Sequence, residues 1–174
     1  VTGKADGLLK RLEIEGNLSP ADLFITVDAG RLQRAKKAGV LQAIDNPTLK
    51  RRIPKSLRDR DNYWFGLSQR ARTIIYNKNL VNAEDLSTYE NLASSVWKGQ
   101  LCIRSSDSIY NQSLVASMIE VNGIKKTESW ARNLVSNFAR PPTGGDTDLL
   151  KATAAGQCGI ALANTYYLGR LINS

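Results

Sequence analysis

The 174-residue sequence predicts an α/β fold, and three observations carry that expectation. Short apolar, β-favouring runs alternate with helical patterns from one end of the chain to the other. Several of the helical patterns stop at a glycine, the residue that most readily takes the left-handed conformation closing a helix. The 42% hydrophobic and 23% charged content is that of a folded chain long enough to bury a sizeable core.

Taken in order, "KADGLLKRLEIEG" spaces Leu8, Leu9 and Leu12 on one helical face and stops at Gly16. "ADLFITVDAG" reads as a buried strand breaking at Asp28–Gly30, and "GRLQRAKKAGV" as a helix ending at Gly39. "YWFGLSQRARTIIYNK" reads as extended, with β-favouring pieces around Arg70–Arg72. The pattern then restarts. Ser87 with Glu90 three residues on predicts a capping box and a helix in "STYENLA". "WKGQLCIRSS" is strand-like, "YNQSLVASMIEVNG" is a helix ending at Gly123, and "KTESWARNLVSNF" is another helix. After the loop "ARPPTGGDTD" come a helix in "TDLLKATAAG", a strand in "CGIALAN" and a last helix starting in "TYYLGRLI". The break near 70–76 separates two α/β units. It suits a two-lobed binding protein with a hinge, or a single doubly wound domain.

Composition excludes several functions. Histidine is absent, so no Ser–His or Cys–His nucleophile can be built and no imidazole is available to zinc, copper or haem. No nucleophile–base pair is visible, which argues against an enzyme. No stretch approaches the roughly 18 apolar residues of a membrane span. No basic-then-apolar leader opens the sequence, and "VTGKADGLLK" reads as a chain entered in mid-fold. Net charge is +8, concentrated in residues 1–70, which hold 14 Lys and Arg against 8 Asp and Glu. The densest run, "KRRIPKSLRDR" at 50–60, reads either as a solvated loop or as a site for anions, acidic protein or nucleic acid. Aromatic residues do not interleave with it as a single-strand-binding face requires. Cys102 and Cys158 lie in two strand-like runs. They are either a disulfide, worth about 4 kcal/mol by chain entropy and suited to an oxidising compartment, or two buried thiols.

The tyrosines carry the most informative chemistry. Ionising a phenol at pH 7 costs about 4 kcal/mol from its ordinary pKa, so gathering several as anions makes sense only for a highly charged ligand that favours oxygen donors. Ferric iron is the leading candidate. Tyr110 falls at the start of a predicted helix, where the dipole favours an anion. Tyr166 and Tyr167 fall at a strand-to-helix corner, where adjacent side chains need not diverge. Arg170 follows four and three residues later, close enough on one face to lower the phenols' pKa and to hold a small bidentate anion such as carbonate. Half-buried packing tyrosines would show the same spacing. Tyr63, Tyr76 and Tyr89 read as packing residues.

"SPADLFITVDAGRL", "YWFGLSQRARTIIYNK", "LSTYENLASSVWKGQLCIRSSDSIYNQSLVAS", "NFARPPTGGDTD" and "ALANTYYLGRLINS" together resemble the periplasmic ferric-iron-binding proteins of bacterial ABC transporters. The likeness covers essentially the whole chain, and the pairing of "IRSS…YNQSLVAS" with "ANTYYLGR" is its most specific part. The resemblance implies a type II periplasmic-binding fold, truncated at both ends: an incomplete first lobe over 1–70, a hinge over 71–77 and most of the second lobe over 78–174. It implies Fe³⁺ in the interlobe cleft on Tyr110, Tyr166 and Tyr167, with Arg70 and Arg170 holding carbonate or another small anion or supporting the phenolates. Asp28 is a weaker cleft candidate, equally explained as a turn residue. The family pattern opens with a further strand and helix supplying another tyrosine, sometimes with a histidine, and neither is present in this sequence. The implied protein is a monomer that delivers iron to a permease in the inner membrane, without nucleic acid and without stable membrane insertion. An oxyanion, a polyamine or, through residues 50–60, nucleic acid are the competing ligands.

Overall fold

The computed structural model describes residues 1–173 and divides into two compact units, Val1–Gln69 and the chain from Arg70 onward. Ser174, the last residue of the expected second lobe, lies outside the described residues.

In the first unit, helix α1 (Ala5–Glu15) buries Leu9 and ends at Gly16, whose φ of 51° supplies the turn. Helix α2 (Ala29–Lys37) buries Ala35 and is followed by Gly39 at φ 72°. Helix α3 (Pro47–Arg52) starts on Asn46, whose side chain accepts from the N–H groups of Thr48 and Leu49, with proline at the first helical position. The strand expected over "ADLFITVDAG" does not form. Residues 21–27 form no regular element and bend at Asp22 and Val27, with Leu23, Ile25 and Val27 exposed and Phe24 and Thr26 half-buried. That is the alternation of a strand without a ladder: among the described residues no partner strand pairs with it, and backbone alternation alone makes no sheet.

The second unit is built on a three-stranded sheet. Strand β1 (Arg72–Tyr76), strand β2 (Leu101–Cys102) and strand β3 (Ile160–Asn164) lie in the order β1–β3–β2. β1 runs antiparallel to β3, with Arg72 opposite Asn164 and Tyr76 opposite Ile160. β2 runs parallel to β3. A parallel pair needs a long crossover. Here it consists of helix α4 (Ile109–Asn122), helix α5 (Ile124–Ser136) and helix α6 (Asp146–Ala154). Helix α7 (Thr165–Ile172) leaves β3 directly.

β3 is buried along its length and serves two cores. Ile160 and Leu162 pack with Val81, Leu92, Trp97, Leu114, Trp130 and Leu134. Ala161, the residue between them and therefore on the other face, packs with Cys102, Leu149, Ala152 and Cys158. Cys102 and Cys158 form a disulfide with Cα atoms 5.9 Å apart, tying β2 to the turn before β3. The expected capped helix at "STYENLA" is only a 3-10 turn, Glu90–Ala93, with no side-chain cap. Trp130 Nε1 donates to the Tyr89 carbonyl and Asn137 Nδ2 to the Leu92 carbonyl, so tertiary hydrogen bonds hold the segment in this tighter form. The residues 71–77 expected as a hinge are built mostly into β1, and the boundary between units falls just before Arg70.

Candidate metal centre

The candidate centre is assembled from the ends of three elements of the second unit. α4 presents Tyr110 from its first turn, because Gly123 and the turn at Ser105–Ser108 bound a helix that starts at Ile109. β3 hands over to α7 at Asn164, and that change of period from strand to helix carries Tyr166 and Tyr167 on neighbouring positions of the first turn. Arg70 precedes β1.

The three tyrosines, each half-buried, come together. The Tyr110 and Tyr166 hydroxyl oxygens lie 3.4 Å apart. The Tyr166 and Tyr167 rings are 4.2 Å apart between centroids and tilted by 33°. The Tyr110–Tyr166 hydrogen bond and the mutual influence of the three phenols set their acidities apart. Burial, helped by the bond to Tyr166, raises the pKa of Tyr110 above its ordinary value. Burial, Tyr166 and the charge of Tyr110 raise Tyr167 further. Burial also opposes ionisation of Tyr166, but its polar neighbours, Tyr110 first among them, outweigh it and bring its pKa down.

Cations surround the group. Arg70 Nη1 donates to the Tyr110 hydroxyl at 3.3 Å, and its guanidinium carbon is 5.1 Å from that ring's centroid. Arg170 is exposed and lies 5.7 Å from the Tyr167 centroid. Sequence reasoning missed two more guanidiniums at Tyr110, those of Arg104 at 5.3 Å and Arg72 at 5.8 Å. It missed Asp146 as well, whose buried carboxylate pairs with Arg72 at 3.2 Å and Arg104 at 3.5 Å. Asn111, on the same helix as Tyr110, accepts from Arg72 at 2.8 Å. One signal for Arg72 was available: it stands two residues after Arg70 in an extended segment, and that spacing puts both on one face. Asp146 gave none, being a helix-opening acid in a glycine-rich loop.

Asp28 lies in the first unit, at the start of α2, where its carboxylate accepts from the Gly30 N–H at 2.9 Å. The same side chain caps α2, at a φ of 79° that residues with a side chain rarely adopt. Among the described residues no cluster of three or more His, Cys, Asp or Glu side chains could hold a metal, so the tyrosines are the concentrated donor set. Phenol oxygens in a cationic setting suit a hard, highly charged cation or a small anion, and they suit soft metals poorly.

A family model described as bacterial extracellular solute-binding protein matches residues 19–166, and the chain belongs to that family. Among curated relatives, "Iron uptake protein A1" of Synechocystis sp. is 50% identical over the whole of this chain and 48% of its own length. The "Fe(3+)-binding periplasmic protein" of Serratia marcescens is 29% identical over 88% of this chain and 44% of its own. A Trichodesmium protein solved in complex with iron and citrate superimposes with a TM-score of 0.95 and 57% identity, over 99% of this chain and 54% of that one. The fold is therefore that of the periplasmic ferric-binding proteins, the type II periplasmic-binding fold. The chain spans about half the length of the curated relatives it matches.

Proposed function

We propose that this chain forms part of a protein that binds ferric iron through Tyr110, Tyr166 and Tyr167 and carries it in the periplasm to an ABC-transporter permease. The observation that carries the reading is the convergence of phenols from α4 and α7, with hydroxyls 3.4 Å apart beside Arg70. The relatives named for iron uptake and Fe(3+) binding support it. Iron is the cargo and no reaction is catalysed, in keeping with a solute-binding family.

Each phenolate neutralises one charge of the trivalent ion, and each proton lost is stabilised by the guanidiniums around the rings. Three phenolates leave coordination positions over. Arg70 and Arg170 are the residues to hold carbonate, citrate or another small chelating anion there. The same cations count against a polyamine. They leave an oxyanion as the second reading, with the tyrosines only lining its site. Monomeric delivery is part of the proposal, and no helix among the described residues is long and apolar enough to cross a membrane.

Equilibrium dialysis of the full-length protein against ferric citrate, phosphate and spermidine separates the readings. Retention of iron, with a raised melting temperature, is the expected result. Phosphate retained in preference to iron would establish the oxyanion reading instead.

A further inference from the structure

We propose that Asp146 is a positioning residue for the metal centre: one buried carboxylate holds two of the three guanidiniums around Tyr110, those of Arg72 and Arg104, together with the strand end that launches Tyr166 and Tyr167. Its side chain is fully buried, and both oxygens are used. Oδ2 meets Arg72 Nη1 at 3.2 Å and accepts the Asn164 N–H at 2.8 Å, while Oδ1 meets Arg104 Nη1 at 3.5 Å. The two arginines stand within 5.8 Å of the Tyr110 ring centroid. Asn164 is the last residue of β3, immediately before the helix that bears the tyrosine doublet. A single group therefore couples the two sides from which the phenols approach.

Helix capping does not account for this placement. Asp148 already accepts the Gly145 N–H at 2.7 Å and caps α6, so Asp146 is free of that task and turns to the guanidiniums. Two arginines brought close together repel one another, and Asp146 supplies the counter-charge between them; Arg72 is also held by Asn111 and the Leu162 carbonyl, whereas Arg104 has the carboxylate as its ion-pair partner. A phenolate ring is more negative than a phenol ring, so cations held over it favour the metal-bound form most. Asp146 touches neither tyrosine nor metal and acts only by holding what does.

The inference rests on the ferric-iron reading, and its test keeps the two separable. Iron affinity is measured in the full-length protein by chelator competition for wild type, Asp146→Asn, Arg104→Gln and the double variant, beside melting temperatures of the metal-free forms. Asparagine keeps the acceptor for the Asn164 N–H and removes the charge. Asp146→Asn should weaken iron about tenfold or more, the usual range for a partner behind a metal ligand. Arg104→Gln should weaken it less, and the double variant should be little worse than Asp146→Asn alone, because the two act as one unit. A merely structural aspartate would lower the melting temperature and leave the affinity of the folded protein unchanged. If Asp146→Asn does not fold, Arg104→Gln, at a partly exposed residue, carries the test by itself. Wild-type affinity in either folded variant overturns the inference alone. Absence of iron binding by the wild type overturns the ferric reading with it.

Discussion

Tyr166 and Tyr167 show how residue chemistry and backbone period combine. In a continuing strand they would face opposite sides of the sheet, whereas the switch to helix at Thr165 keeps their rings together while Tyr166 meets Tyr110. That much was legible in the sequence, since a tyrosine doublet between an apolar β run and a helical run announces such a corner. The guanidinium ring was legible only in part. Arg170 follows the tyrosine doublet by helical spacing and Arg70 was expected only through the family resemblance, whereas Arg104 and Asp146 reach the site through tertiary folding, which no local pattern encodes. Tyr89, expected as a packing residue, is one in the structure: its hydroxyl donates to the Arg72 carbonyl, and burial raises its pKa. The sign follows directly. The folded state holds the Tyr89 proton at a pH where the unfolded chain has lost it, so this contribution is complete below about pH 10 and is lost as pH rises through the folded value. Thermal melts of the metal-free protein should therefore fall across that alkaline range, and fall less steeply for Tyr89→Phe. Equal slopes would show that Tyr89 does not contribute.

At the scale of elements, the helices with glycine stops and the final strand matched the pattern of the sequence: α4 ends at Gly123, and the continuous apolar run of β3 is buried on both faces. The failures share a cause. "ADLFITVDAG" has a strand's alternation but pairs with no strand, and "STYENLA" has a capping box's residues but gives its backbone bonds to Trp130 and Asn137. Pairing and tertiary hydrogen bonding decide both cases, and neither is written in the local residues. The disulfide settles what the spacing of the cysteines left open, and it joins β2 to the turn before β3 across 56 residues of sequence. Replacing Cys102 and Cys158 together by serine should cost about 4 kcal/mol on the chain-entropy model, read as a lowered midpoint in chemical denaturation. A midpoint unchanged from wild type would mean that the crosslink constrains nothing the fold does not already hold.

For the whole molecule, the proposed phenolate ligation would make iron retention a function of pH. Burial holds Tyr110 and Tyr167 above the ordinary phenol pKa, so at neutral pH these phenols are protonated until a cation displaces their protons. Acid returns those protons, and iron should be held at neutral pH and released progressively on acidification, as followed by dialysis against a strong chelator. Retention independent of pH would mean that the ligands are not phenolates. In the basic run at 50–60, Lys50 is paired with Asp45 and Arg58 donates to a backbone carbonyl, while Arg51, Arg52, Lys55 and Arg60 are exposed. Any binding of nucleic acid there should be weak and vanish steeply with salt.

The claim beneath all of this is that phenol oxygens from α4 and α7 share one ferric ion. The visible spectrum of the iron-loaded full-length protein tests it most directly. A phenolate-to-iron charge-transfer band should appear on loading and weaken in each of Tyr110→Phe, Tyr166→Phe and Tyr167→Phe. A loaded protein without that band, or one whose band survives all three substitutions unchanged, would contradict it.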